Sequence, residues 1–291
     1  MPNNATTTFD AVIAADWSAA IGRKPNPCED RCWLSWAQRE QAPTERPDPL
    51  YQPTRLEAEA KIRDLLTNEF AGSRVLVGLD FAIGYPLAGD GQPALPVGRA
   101  LCAFLADRIT YAPSGAHNLS YAPDRLNHDL IAQLNTTEGP FWGRPKEQAH
   151  LHLLPVGRPK GDTRFPQFRT CERAAQRLTK TRPQSPFKLA GIGSVGSQSL
   201  VGLPMLHRLL TDADLSERAH VWPFEPAPDR ADAITFAEIY PSLYPQFAPP
   251  HWYKDARQVT DTRDALLAGA IDLTTPEIAQ HEGWILGVPA D

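Results

Sequence analysis

The sequence predicts an α/β protein, because short apolar runs that end in acids alternate with segments of helical period, and proline-rich connections separate them. Three such runs stand out: AVIAAD at 11–16, RVLVGLD at 74–80 and AITFAEI at 233–239. Each is short enough for a strand and too apolar for one exposed on either face. Strands of this kind mixed with helices along one chain define the class.

Taken in order, AVIAAD reads as a buried strand that ends at Asp16 and runs into Trp17-Ser18-Ala19-Ala20. CWLSWA at 32–37 reads as a second strand. The spacing of Thr54 and Glu57 matches a capping box, and Leu56, Ala60, Ile62, Leu65, Leu66 and Phe70 recur at helical intervals. A helix over 55–70 is therefore predicted. RVLVGLD is the next strand, and a helix is expected over 97–109. The stretch 111–220 shows little period and reads as an insertion, with one helix near 168–178 and another over 200–210. AITFAEI is the last strand of the set. The stretch DTRDALLAGA at 261–270 is expected to head the final helix, with Asp261 and Asp264 one turn apart on one face. The whole of 1–291 is read as one elaborated domain.

Composition narrows the function classes. The chain is 42% hydrophobic and 22% charged, ordinary values for a globular protein, and no apolar run approaches the ~20 residues of a membrane span. Its first residues, MPNNATTTFD, lack the features of a secretory signal, so a cytoplasmic protein away from membranes is expected. Cys28 and Cys32 have no second cysteine or histidine pair behind them, which speaks against a zinc site. Proline, at 29 of 291 residues, concentrates in connections and predicts long ordered loops. Net charge is −5, yet 144–188 carries eleven Lys and Arg against three acids, a net +8. A basic segment within an acidic remainder suits nucleic acid or a phosphorylated small molecule, with a solvated loop face as the plain alternative.

Asp16, Asp80 and Glu238 each fall at the polar end of an apolar strand, where a sheet delivers side chains into the crevice beyond its carboxyl edge. An acid there can also simply cap a helix or form a turn. Asp261 and Asp264 can join them from a helix packed on that edge. Converging carboxylates repel unless cations intervene, and all-oxygen donors select Mg²⁺ or Mn²⁺. A second candidate is SPFKLAGIGSVGSQS at 185–199, where small residues, a lysine and a following helix could cradle phosphate by backbone N–H groups. Its substrate-binding candidates are Lys188, Ser194, Ser197, Gln198 and Ser199, with Arg169 and Lys254 nearby in chemistry. The segment lacks the P-loop pattern, and a flexible turn is the competing reading. Arg169 and Glu172, three apart on a predicted helix, are expected to form a surface ion pair. His150 and His152 alternate without a third ligand and read as solvated.

The motifs AADWSAA, VGLDFAIGYP, FAEIYPS and DTRDALL together resemble the ribonuclease H-like superfamily, whose RuvC-type Holliday-junction resolvases end in a similar D-x-x-D-A-L helix. A bacterial family of unknown function within that superfamily is more similar still. Its motifs correspond to Asp80 with Pro86, to Glu238 with Pro241, and to Lys254-Asp255 followed by Asp261 and Asp264. The resemblance implies a mixed sheet of about five strands flanked by helices, with Asp16, Asp80, Glu238, Asp261 and Asp264 as the metal-binding acids. The expected activity is metal-dependent phosphodiester hydrolysis or phosphoryl transfer, as in a nuclease, with Asp16, Asp80, Glu238 and Asp264 holding two ions and the 185–199 segment holding substrate. A nucleotide- or small-phosphate-binding protein of cofactor metabolism, and a non-enzymatic binding module, are the alternatives.

Overall fold

The computed structural model describes residues 6–117, 125–130, 139–144, 152–159, 164–191, 193–250 and 252–290. Among them, β1 (Thr6–Thr7) and β8 (Ile271–Asp272) form a small ribbon. The main sheet contains β2 (Ala11–Asp16), β3 (Cys32–Gln38), β4 (Leu50–Gln52), β5 (Val75–Leu79), β6 (Ala219–Val221) and β7 (Ile234–Glu238). Its order is β4-β3-β2-β5-β7-β6. β4, β3 and β2 pair antiparallel, whereas β2, β5, β7 and β6 run parallel. Six strands stand where about five were expected, and the two beyond the four apolar runs, β4 and β6, are each only three residues long.

Strand alternation distributes the core onto both sides of the sheet. Ala11, Ile13 and Ala15 pack with α1 (Arg55–Asp64), α2 (Gly98–Ala106) and α4 (Gly196–Thr211). Val12 and Ala14 face the other side, where α3 (Thr170–Leu178) and α5 (Lys254–Leu267) contribute Ala174, Ala175, Ala256 and Val259. A short α6 (Ala279–Glu282) closes the chain against this second layer. The parallel strands are covered twice, which is why their sequences are continuously apolar.

Two helices begin earlier than the sequence predicts. α4 starts at Gly196, and α5 starts at Lys254, seven residues before DTRDALLAGA. Apolar periodicity misses the first half of α5 because buried polar groups occupy its core face. Thr260 donates its hydroxyl to the Ala256 carbonyl at 2.9 Å. Asp255 is the other buried polar group of this half, and in the second half the buried Arg263 reaches Ser35 Oγ and the carbonyls of Trp36 and Pro47. DTRDALL is consequently the C-terminal half of the helix and not its head.

The Thr54 N-cap of α1 forms as read, with the Glu57 carboxylate on the Thr54 hydroxyl and not on the Thr54 backbone N–H that a full capping box would engage. Thr54 Oγ1 accepts the Glu57 N–H at 3.2 Å and donates to Glu57 Oε2 at 2.8 Å. The helix continues beyond Asp64 as a π turn over Leu65–Glu69 that buries Leu65 and Leu66. Thr54→Ala is expected to lower stability by ~1 kcal/mol in urea unfolding, the usual cost of a lost N-cap.

Candidate functional site

Parallel pairing of β2 with β5 sets Ala15 opposite Leu79, so Asp16 and Asp80 are the next residues in line on neighbouring strands. The Asp80 N–H donates to the Ala15 carbonyl at 2.9 Å, which carries the ladder to the first acid. The two backbones are therefore separated by about one strand spacing, ~4.8 Å. Alternation gives both acids the face that α5 covers, and the first turn of α5 brings Lys254 and Asp255 to them. Asp255 Oδ2 accepts the Asp30 N–H at 2.8 Å, and Ser18 Oγ donates to the Asp30 carbonyl at 2.6 Å. Asp30 has φ 56°, a left-handed conformation that aspartate tolerates better than most residues. Asp16, Asp30, Asp80, Glu238, Lys254 and Asp255 all line one cleft of about 1000 Å³.

The electrostatics of this cleft are unbalanced. Burial raises the Asp16 pKa well above the ordinary carboxylate range, and Asp80, Asp255 and Asp30 add to the effect while Lys254 opposes it. Burial also raises Asp80, to about 7, with Glu238 and Asp255 contributing. Asp255 is raised chiefly by burial, against the bond from Asp30 N–H. Among the described residues, no protein donor hydrogen-bonds the carboxylate of Asp16 or Asp80. Two adjacent acids thus lack the partners that buried carboxylates normally have.

Glu238 differs. Register sets it opposite Leu79, one residue short of Asp80. Its Oε2 accepts Arg169 Nη1 at 2.8 Å and the Ile83 N–H at 3.0 Å, and its Oε1 accepts Arg169 Nη2 at 2.5 Å. Arg169 also bonds Glu172 through Nε at 2.7 Å and Nη2 at 2.5 Å, and Glu172 Oε2 returns to the Arg169 N–H at 2.6 Å. The guanidinium is fully buried, at 0% exposure, so the expected surface ion pair is instead an interior network. One guanidinium serves two carboxylates, and burial holds Glu172 above its usual range. Arg169 is thereby committed to the protein, and Glu238 already has a cation.

The structure does not bring Asp261 or Asp264 into the cleft. They lie six and nine residues beyond Asp255 on α5, so Asp264 is ~14 Å further along the axis. Asp261 is buried, and its Oδ1 accepts the N–H groups of Phe247 and Ala248 at 3.0 and 2.9 Å. Asp264 pairs with Arg46 at 2.7 Å and with its neighbour Arg263. Both hold local structure, as capping or hydrogen-bonding acids would. The acids that take their place are Asp255 and Asp30. Asp255 had a signal in its K-D pair, but Asp30 sits in a connection where nothing in the residue pattern marks it.

The 185–199 segment contributes in part. Ser194, Ser197, Gln198, Gly191 and Gly193 line the cleft. Gly196 sits where a Cβ would lie 2.5 Å from the carbonyl oxygens of Lys188 and Pro186, so no larger residue fits the start of α4. Lys188 does not line the cleft; its Nζ donates to Gln184 Oε1 at 3.0 Å and stands 5.9 Å from the centre of the Trp142 ring. Ser199 is fully buried, its hydroxyl on the Val195 carbonyl, and the Ser197 hydroxyl bonds the Leu189 carbonyl at 2.6 Å. Of the basic segment, Arg164 pairs with Asp90 and Arg182 lines the cleft. Lys146, His150 and Lys160 fall outside the described residues.

No protein-family model, curated protein or solved structure matches the chain. Among the described residues, no group of three or more His, Cys, Asp and Glu side chains is placed to hold a metal ion, and no helix is long and apolar enough to cross a membrane. All four cysteines are free thiols.

Two outcomes follow from these electrostatics. An acid whose pKa is raised by folding binds more protons folded than unfolded, so its contribution to stability declines as pH climbs from its unfolded value to its folded one. Without divalent ions, stability should fall between about pH 4 and 7, the window set by Asp80, and Asp80→Asn should flatten that slope in urea titrations at stepped pH. Arg169→Met strands two buried carboxylates and should cost ~3–5 kcal/mol, recovered in part when Glu172→Gln and Glu238→Gln are added.

Proposed function

We propose that the chain is a metal-dependent enzyme of phosphoryl transfer or phosphodiester hydrolysis, centred on Asp16 and Asp80. The observation that carries this reading is the side-by-side placement of two carboxylates without protein donors at the carboxyl edge of a parallel sheet. A sheet whose neighbouring strands end in such acids also supports the ribonuclease H-like reading of the sequence. Mg²⁺ and Mn²⁺ fit the donors, since such ions are commonly held by one or two carboxylates, with waters and substrate phosphate completing the shell. Such an ion would supply a polarised phosphoryl oxygen and a water of lowered pKa.

The remaining work falls to the chain. Asp16 and Asp80 would hold the ion between neighbouring strand ends, and burial keeps the Asp80 carboxyl up at about 7, so that a bound cation would favour its ionised form. Asp255 adds charge from α5 while fixing Asp30 above the pair. Lys254 and Arg182 provide the positive side of the cleft, and the backbone turn through Ser194, Ser197 and Gln198 receives the phosphate-bearing end of the substrate. Glu238, held by Arg169 and Ile83, positions the wall and is not a ligand.

A small phosphorylated molecule, such as a nucleotide, is favoured over a long nucleic acid. The cleft volume lies at the upper end of the range for small-ligand sites, and Arg164 and Arg169 are spent on internal partners. A nucleic acid would show ~0.7 to 0.9 log units of affinity lost per log salt for each phosphate contact, and a nucleotide far less.

Millimolar Mg²⁺ or Mn²⁺ should raise the melting temperature by mass action on the folded state. Asp16→Asn and Asp80→Asn should abolish that rise. Each should also lower metal-dependent hydrolysis of bis(p-nitrophenyl) phosphate by ~10²-fold or more, at least what loss of an outer-shell partner costs. Asp264→Asn should leave both readouts unchanged. A melting curve indifferent to metal would overturn the reading.

A further inference from the structure

We propose that His117 is a ligand-contacting residue of the cleft, presenting a neutral Nε2–H donor to an acceptor oxygen of the bound molecule, with Arg55 as the positioning residue that fixes its tautomer. The assignment of that molecule as a phosphorylated compound rests on the function proposed above. The tautomer itself follows from geometry.

His117 lines the cleft wall. It ends a tight turn in which Ala112 N–H donates to the Ala116 carbonyl at 2.7 Å and Gly115 N–H to the Ala112 carbonyl at 2.9 Å. Gly115 adopts φ 76° there, and a Cβ on it would lie 2.7 Å from Thr54 Cβ. The turn is thus pressed against the start of α1, where Arg55 is buried at 3% exposure. Arg55 Nη1 donates to the carbonyls of Ser18 and Ala20 at 2.9 and 2.7 Å. Its Nη2 donates to the Gly115 carbonyl and lies 2.6 Å from His117 Nδ1. The guanidinium plane is 5.2 Å from the centre of the Tyr111 ring, which carries Arg208 at 4.9 Å as well.

A guanidinium has donors and no acceptor. His117 Nδ1 must therefore accept, and in the neutral ring the proton resides on Nε2. Burial first, and the Arg55 charge second, push the His117 pKa down to about 4, so the ring remains uncharged at neutral pH. Among the described residues, Nε2 has no protein partner, and it is not among the buried polar atoms left without one, so it is open to solvent on a residue that lines the cleft. The same Arg55 that orients the ring is bonded to Ser18 and Ala20, two and four residues after Asp16. The donor is consequently fastened to the segment that leaves the acidic pair. In a cleft crowded with carboxylates, a donor that carries no charge of its own binds a ligand oxygen without forming an ion pair with Asp16 or Asp30.

The test uses the full chain with ¹⁵N-labelled histidine, the His117 signals being assigned by their absence in His117→Gln. Expected are the shifts of a neutral Nε2–H ring, unchanged down to about pH 5.5, and conversion of part of the population to the Nδ1–H form in Arg55→Gln. Inorganic phosphate, adenosine and AMP are then added separately. A His117 Nε2 shift with phosphate assigns the acceptor to a phosphoryl oxygen, and a shift with adenosine but not phosphate assigns it to sugar or base; either supports the proposal. His117→Gln, which retains an N–H donor, should keep AMP affinity within about threefold, whereas His117→Phe should weaken it roughly tenfold or more, the loss of one hydrogen bond to a charged or polar group. An Nδ1–H or imidazolium ring at neutral pH overturns the tautomer. A ring that is Nε2–H yet unmoved by all three compounds overturns the ligand role. Because these readouts need neither metal nor turnover, failure of the enzyme reading leaves them interpretable.

Discussion

The buried guanidinium of Arg169 holds together parts of the chain that no single element could align. It joins the end of β7 through Glu238, the first turn of α3 through Glu172, and the last helix through the Glu282 carbonyl at 3.2 Å. Glu282 in turn accepts the N–H groups of Thr170 and Leu87, so the loop after β5 is fixed to the same point. Taking three charges out of water costs several kcal/mol per ion, and only near-complete hydrogen bonding offsets that cost. The network meets that condition, with every nitrogen of the guanidinium bonded. Its geometry sets where the cleft wall stands relative to Asp80.

Asp16 and Asp80 depend on a different principle. Backbone pairing carries them together whatever their side chains prefer, because the parallel ladder fixes their register. The repulsion this creates is supported by the apolar strands beneath, buried on both faces. Strain concentrated at the edge of a well-packed sheet is the usual arrangement of a binding site, where local rules give way to function. The raised pKa values of Asp16, Asp80 and Asp255 are the electrostatic expression of that strain.

Strands and acids at their ends were legible because burial on both faces of a sheet writes itself into residue order as a continuous apolar run. Ala11–Asp16, Val75–Leu79 and Ile234–Glu238 are all found where the pattern places them. The Thr54 N-cap of α1 was legible for the same local reason. The first half of α5 was not, since Asp255 and Thr260 occupy buried positions that a hydrophobic pattern treats as exposed. That shift of two turns moved the acidic end of the helix from Asp261 and Asp264 to Asp255. The burial of Arg169 was not legible, because i, i+3 spacing describes a helix surface and says nothing of what packs above it. Asp30 and His117 belong to loops whose partners are distant in sequence, and such pairings leave no local trace.

The bond from Asp30 N–H to Asp255 Oδ2 ties a loop to a carboxylate that also faces the cleft. A single oxygen pair is thus shared between two clients, the 17–31 segment and whatever enters beside Asp16. Any effect that a ligand at Asp255 has on the fastening of the loop is returned by the loop on the ligand, with the same sign. A cation that draws on the remaining lone pairs of Asp255 polarises its bond to Asp30, while one that captures Oδ2 frees the segment. The 17–31 lining of the cleft is in this sense held by a carboxylate that lines it too, so the placing of that lining and the charge within the cleft rest on the same atoms.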